Sequence, residues 1–356
     1  MHTTTRWHIT PSLVFDMFCW INILTGDPFY VRYYSQDYEA FQERLTPEVQ
    51  EALRRLKTTV KDEGQQIISA LLCLYFSATA DQTLDDVLRT LADSDQMYHN
   101  LRRTPYYQQE RWALYTAARP DLTTIVRFLQ DTDFEGYWRG SILPRIEQRV
   151  RELQEELGRF NIVVEDEAVL GASLPSDELT VYVLYYVRPH GIRVIGTRFI
   201  TDVSYPAATV ARIAVHEMFH PPFDEHSPDF QDCLASLRTD PFLARTFEGR
   251  NPDYGYNTFK GFIEESCVRA LEQLVTEKLG IARCEASKRW RDEDEGMHVF
   301  AACIYASMRR EAYNTRGETF QQFLLRMVRS TLRPGTLEQT YTTSMSPSPS
   351  SSSPSS

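Results

Sequence analysis

Apolar residues recur through the first half of the chain at steps of three and four, the spacing that puts side chains on one face of an α-helix. Tyr38, Phe41, Leu45, Val49, Leu53 and Leu56 make one such series. Ile67, Ile68, Leu71, Leu72, Tyr75 and Phe76 make a second, and Leu84, Val87, Leu88 and Leu91 a third. Large apolar side chains are mostly interior, so the stripes predict core-facing helices. The run from Leu13 to Leu24 is apolar almost throughout, but Asp16 and Asn22 interrupt it and it is too short to span a bilayer. No small-residue cleavage site follows it, and it predicts a buried helix.

After an amphipathic helix carried by Ile146, Val150, Leu153 and Leu157, the period changes. Phe160 to Val164 predicts a strand. Thr180 to Val187 is rich in β-branched and aromatic residues, Pro189-His190-Gly191 marks a turn with His190 at the surface, and Ile192 to Ile200 predicts the returning strand of a hairpin. Pro206 then opens a helix through Val215 that Pro221 and Pro222 must end. From Thr258 to Glu272 the helical period returns, with Phe259, Ile263, Cys267, Ala270 and Leu274 on one face and Gly280 placed to stop it. The pattern predicts an α+β chain: a helical N-terminal region (1–155), a domain of mixed sheet and helices (156–335), and a disordered Ser/Pro-rich tail (336–356). No internal repeat and no Gly-Pro-Ser-rich linker divide it.

The chemistry concentrates in His216-Glu217-Met218-Phe219-His220. Positions four apart on a helix differ by only about 40° around its axis, so the two histidines can grip one metal ion. Glu217 projects to one side, where it can act on a water; this is the HExxH arrangement of zinc hydrolases. A catalytic zinc needs a third protein ligand and an open position. His226 stands at the spacing of HExxHxxGxxH, but Phe223 occupies the place of the turning glycine, and a bulky residue at positive φ is a genuine outlier. The later helix offers Glu265, on a polar strip with Arg269 and Glu272, and Glu264, within the apolar arc beside Leu271 and Val275, where a metal would relieve the cost of burying a carboxylate. The polar strip favours Glu265.

With Glu265 the chain resembles the gluzincin class of zinc metallopeptidases, whose downstream helix supplies a glutamate ligand followed four residues later by a supporting polar residue. Arg269 stands at that spacing, and Glu265 with Glu272 matches the glutamate-x6-glutamate spacing of some aminopeptidases of the class. The resemblance implies a zincin-like core, Zn²⁺ held by His216, His220 and Glu265, Glu217 as general base, and a peptide or protein substrate. Tyr254, Tyr256 and His298 flank the later helix; each can donate a hydrogen bond to a developing oxyanion, and His298 is assigned that part. In such folds a strand edge near the metal can take up an extended peptide. The alternative is a zinc-binding or protein-interaction module that keeps the fold without turnover.

Composition narrows the function classes. The net charge of −11 argues against a nucleic-acid binder, which needs clustered Lys and Arg, and no stretch predicts a membrane span. The six cysteines show no CxxC spacing and sit mostly in apolar helical contexts, as buried thiols of a reducing, cytoplasmic compartment do.

Overall fold

The computed structural model describes residues 1–251, 254, 256–314 and 317–345. Helices dominate, with one four-stranded mixed sheet. In chain order the principal elements are β1 (Arg6–Pro11), α1 (Leu13–Leu24), α2 (Pro47–Lys57), α3 (Ile68–Phe76), α4 (Leu84–Ala92), α5 (Gln109–Asp131), α6 (Leu143–Leu157), α7 (Ile162–Leu170), β2 (Glu178–Leu184), β3 (Ile192–Val194), β4 (Arg198–Asp202), α8 (Ala207–Met218), α9 (Phe259–Lys278) and α10 (Val299–Arg310). Further helices join them. Contacts divide the chain into two units, one of Thr3–Asn161 with Pro175–Glu217, the other of Met1–His2, Ile162–Leu174 and Met218–Ser356.

The sheet belongs to the first unit and has the order β1-β2-β4-β3. β1 pairs parallel with β2, β2 parallel with β4, and β3 antiparallel with β4. Central parallel strands are covered on both faces, which explains the nearly unbroken burial from Phe199 to Asp202 in β4. The hairpin expected between Thr180–Val187 and Ile192–Ile200 is therefore corrected: Ile192 stands opposite Ile200 within the second of those segments, and β2 runs alongside β4. Ile195-Gly196-Thr197 makes the turn, with Gly196 at φ 79°, a conformation that favours glycine.

Three other expectations change. Phe160 to Val164 is not a strand, because Ile162 and Val163 open α7; a five-residue apolar run does not by itself separate strand from helix. The series from Tyr38 to Leu56 breaks at Thr46, whose hydroxyl accepts the Val49 N–H at 3.4 Å, and Pro47 starts α2. Leu337 to Met345, within the expected tail, forms a helix with Leu337 buried, while 346–356 lie outside the described residues.

α1 is buried at every one of its positions, as a helix apolar all round should be. Asp16 within it is satisfied rather than exposed. Its Oδ1 accepts the backbone N–H groups of Tyr185 at 3.1 Å and Tyr186 at 2.8 Å, and its Oδ2 accepts the Trp138 indole N–H at 2.8 Å. Among the described residues no helix is long and apolar enough to cross a membrane. All six cysteines are free; five are buried and Cys284 is half-buried.

Candidate metal centre

α8 carries the first two candidate ligands. The Pro206 carbonyl accepts the N–H groups of Thr209 at 2.8 Å and Val210 at 3.1 Å, which starts the helix where the sequence predicted. Ala207, Val210, Ala211, Ala214, Val215 and Met218 are buried at helical spacing, and His216 is half-buried beside that stripe. The helix closes at Met218, so His220 follows just beyond its last turn, ahead of the two prolines. Carbonyls in a last turn lack intrahelical donors. For Glu217 the donor is the Arg193 guanidinium from β3, which also donates to the Tyr106 hydroxyl at 3.0 Å.

Glu217 is 8% exposed. A Cβ on Gly191 would meet Ile213 Cγ2 at 2.6 Å and Glu217 Oε1 at 3.4 Å, so only glycine lets the chain entering β3 run this close to the helix face bearing Glu217. The neighbouring His190 is not the surface residue expected from its turn. Its ring is half-buried, stacks on Phe29 at 6.0 Å and pairs through Nε2 with the Tyr30 hydroxyl at 3.2 Å; burial lowers its pKa to about 4.

α9 carries the third candidate. The Thr258 hydroxyl caps its start by accepting the Gly261 N–H at 3.0 Å, and Gly280, at φ 67°, follows its last residues as predicted. The helix is buried nearly all round, so its polar strip does not lie open to solvent: Glu265 and Glu272 are buried, and Glu264 is half-buried. Buried charges need partners. Glu265 Oε1 accepts from Arg269 Nε at 2.5 Å and from the Tyr256 hydroxyl at 3.2 Å, while its Oε2 faces His220 Nε2 at 3.5 Å. Glu272 instead accepts from Arg289 at 2.7 Å. Its spacing from Glu265 therefore serves an ion pair.

Glu264 occupies a different place from either sequence alternative. Its Oε1 pairs with His220 Nδ1 at 2.9 Å. A carboxylate on one imidazole nitrogen fixes the ring's orientation and tautomer and leaves the other nitrogen to a metal. Burial disfavours both charges, but the hydrogen bond overrides it, holding Glu264 below the usual carboxylate range. For His220 the hydrogen bonds to Glu264 and Glu265 likewise outweigh burial and lift the pKa to about 10.

The ligand atoms of His216, His220 and Glu265 all lie within 4.8 Å of one another. Tetrahedral zinc with bonds of about 2.1 Å separates its ligand atoms by roughly 3.4 Å. The 3.5 Å between His220 and Glu265 is already at that spacing. Two imidazoles and a carboxylate are also the donor types zinc takes, so the residues fit the ion. His226 is not part of this group: it is exposed, and Phe223, in place of a turning glycine, is buried and stacked on Phe230 at 3.9 Å.

His298, the expected oxyanion donor, has a packed position. Its ring is wholly buried and its Nε2 pairs with Asp294 at 2.7 Å. It packs against Tyr256 at 5.8 Å between ring centroids, and Tyr256 is the flanking residue that reaches Glu265. Tyr254 instead donates to Glu295 at 3.0 Å. Arg193 and Glu293 were not anticipated. Arg193 sits in an ordinary strand, and Glu293 lies in a run of charges that resembles a solvated face, yet it accepts from both Arg269 at 2.7 Å and Arg289 at 2.6 Å.

No protein-family model, curated protein sequence or solved structure matches the chain.

Proposed function

We propose that the protein is a zinc-dependent metallopeptidase with a zincin-like core, in which His216, His220 and Glu265 hold the ion and Glu217 is the general base. The observation that carries this is the convergence of two histidines from an HExxH segment and a carboxylate from a separate helix within 4.8 Å. Zinc bound there supplies Lewis-acid polarisation of a scissile carbonyl and lowers the pKa of a water towards about 7.

The protein's own groups do the rest. The Glu217 carboxylate takes a proton from the attacking water and returns it to the leaving nitrogen. Its low exposure keeps bulk water from competing for that carboxylate. Arg193, bonded to the Glu217 backbone carbonyl, fixes the end of the helix from which the side chain projects. Glu264 orients His220. His298 and Asp294 support the wall behind Tyr256 and do not touch substrate on this account.

The test is Glu217→Gln assayed on a mixed peptide library beside wild type. The variant should bind zinc one to one and lose about 10²- to 10⁴-fold in turnover. Undiminished hydrolysis with stoichiometric zinc would remove Glu217 from the chemistry.

A further inference from the structure

The two oxygens of Glu265 have different neighbours, and the difference is built from three side chains. Oε1 receives Arg269 Nε and the Tyr256 hydroxyl, and Oε2 is the oxygen that faces His220. Arg269 is itself held at three points: by Glu265, by the Tyr256 hydroxyl, to which its Nη2 donates at 3.1 Å, and by Glu293, to which its Nη1 donates at 2.7 Å. Glu293 is anchored in turn by Arg289, which pairs with Glu272 on the same helix as Glu265. A planar guanidinium bonded through all three nitrogens cannot turn, so the carboxylate it grips cannot turn either.

We propose that Arg269, with Tyr256, is a positioning residue that confines Glu265 to binding zinc through one oxygen, keeping a coordination position open. This rests on the zinc site proposed above. A carboxylate with both oxygens at liberty can swing to chelate the ion and close that position. With Oε1 committed to two donors, chelation would cost two hydrogen bonds, one of them from a buried cation.

Charge alone argues the other way, which makes the proposal testable by sign. A fixed cation close to a divalent ion repels it, so if Arg269 acted only through its charge, removing it would tighten zinc binding. If it acts by position, removing it leaves the ion to order a carboxylate that is no longer pre-oriented, and binding weakens by the 10- to 100-fold typical when a partner of a metal ligand is lost. Arg269→Lys separates the two further: lysine keeps the charge but offers no planar fork.

The full-length protein is stripped of metal and titrated with Zn²⁺ and with Co²⁺, whose visible bands are intense in four-coordinate sites and weak in more crowded ones. Wild type should give intense cobalt bands. Arg269→Met and Arg269→Lys should both weaken those bands and raise the zinc dissociation constant about 10- to 100-fold. Where these variants fold, they decide; where neither folds, Tyr256→Phe decides, since it removes a donor to Oε1 without unpairing a buried charge, and the same changes in smaller measure are expected. Wild-type bands and affinity in the deciding variant, or tighter zinc in Arg269→Met, would overturn the proposal while leaving the zinc site standing. A wild-type protein that binds neither metal would overturn the zinc site and this inference with it.

Discussion

Asp16 and Glu265 are both buried carboxylates inside buried helices, and the protein treats them in opposite ways. Asp16 meets only neutral donors: two backbone N–H groups beyond β2 and the Trp138 indole. Desolvation outweighs those hydrogen bonds and pushes its pKa up to about 7. Glu265 meets a guanidinium on one oxygen and an imidazole across from the other. A carboxylate with neutral partners works as a clamp, tying α1 to the segment after β2. One compensated by a guanidinium can stay ionised out of water, which a metal ligand must do. Burial therefore does not distinguish structure from site, and neither does a cationic partner alone, since buried Glu272 pairs with Arg289 in a structural contact.

Breaking the clamp should have the largest effect on folding. Asp16→Ala would leave two buried donors and the half-buried Tyr185 N–H without an acceptor, at about 3 to 5 kcal/mol in total. Urea unfolding should show that loss, with zinc affinity unchanged in whatever protein remains folded. A loss below about 1 kcal/mol would mean that water replaces the carboxylate and that the clamp is unimportant.

The same residue gives a pH dependence of definite sign. A carboxyl whose folded pKa is raised binds its proton more tightly in the folded state than in the unfolded one, where the pKa is about 3.9. Its contribution is complete below about pH 4 and is lost as pH rises through about 7. Wild-type stability should accordingly carry a downward component across that window, up to roughly 4 kcal/mol, which Asp16→Asn abolishes. Parallel stability profiles for wild type and variant would show that Asp16 is already ionised when folded.

On the other side of the comparison, Glu264→Gln should sharpen the distinction between a ligand and its support. The amide can still bond His220 Nδ1 but no longer carries the charge that strengthens the imidazole as a donor to metal. Zinc should bind about 10- to 100-fold more weakly, or about 1.4 to 2.7 kcal/mol, at unchanged stoichiometry. Loss of all binding would make Glu264 the ligand instead.

Legibility of the chain follows the range of the interactions involved. α3, α6, α8 and α9 could be read because each declares itself within its own length, through a stripe, a proline start or a glycine stop. The HExxH segment is local in the same way. β1 was missed because only Ile9 of its six residues is buried and its partner β2 lies some 170 residues on, as Arg6 opposite Glu178 shows. The parallel pairing of β2 with β4 was mistaken for a hairpin because alternation within a strand says nothing about which neighbour it takes. The polar strip that separates Glu265 from Glu264 in the sequence is not a solvent-facing one, because the helix is buried nearly all round and local periodicity does not show what packs over it. The ion-pair chain through Arg269, Glu293 and Arg289 depends on side chains meeting across separate helices, which no periodicity encodes.

On the proposed function, Glu265 completes a zinc site with His216 and His220. Zinc titration of metal-free wild type and of Glu265→Gln tests it most directly. Wild type should bind one zinc per chain, and the variant should bind it more than about 100-fold more weakly, beyond the loss for a merely supporting partner. Absence of zinc binding by wild type, or equal affinity in the two proteins, would contradict it.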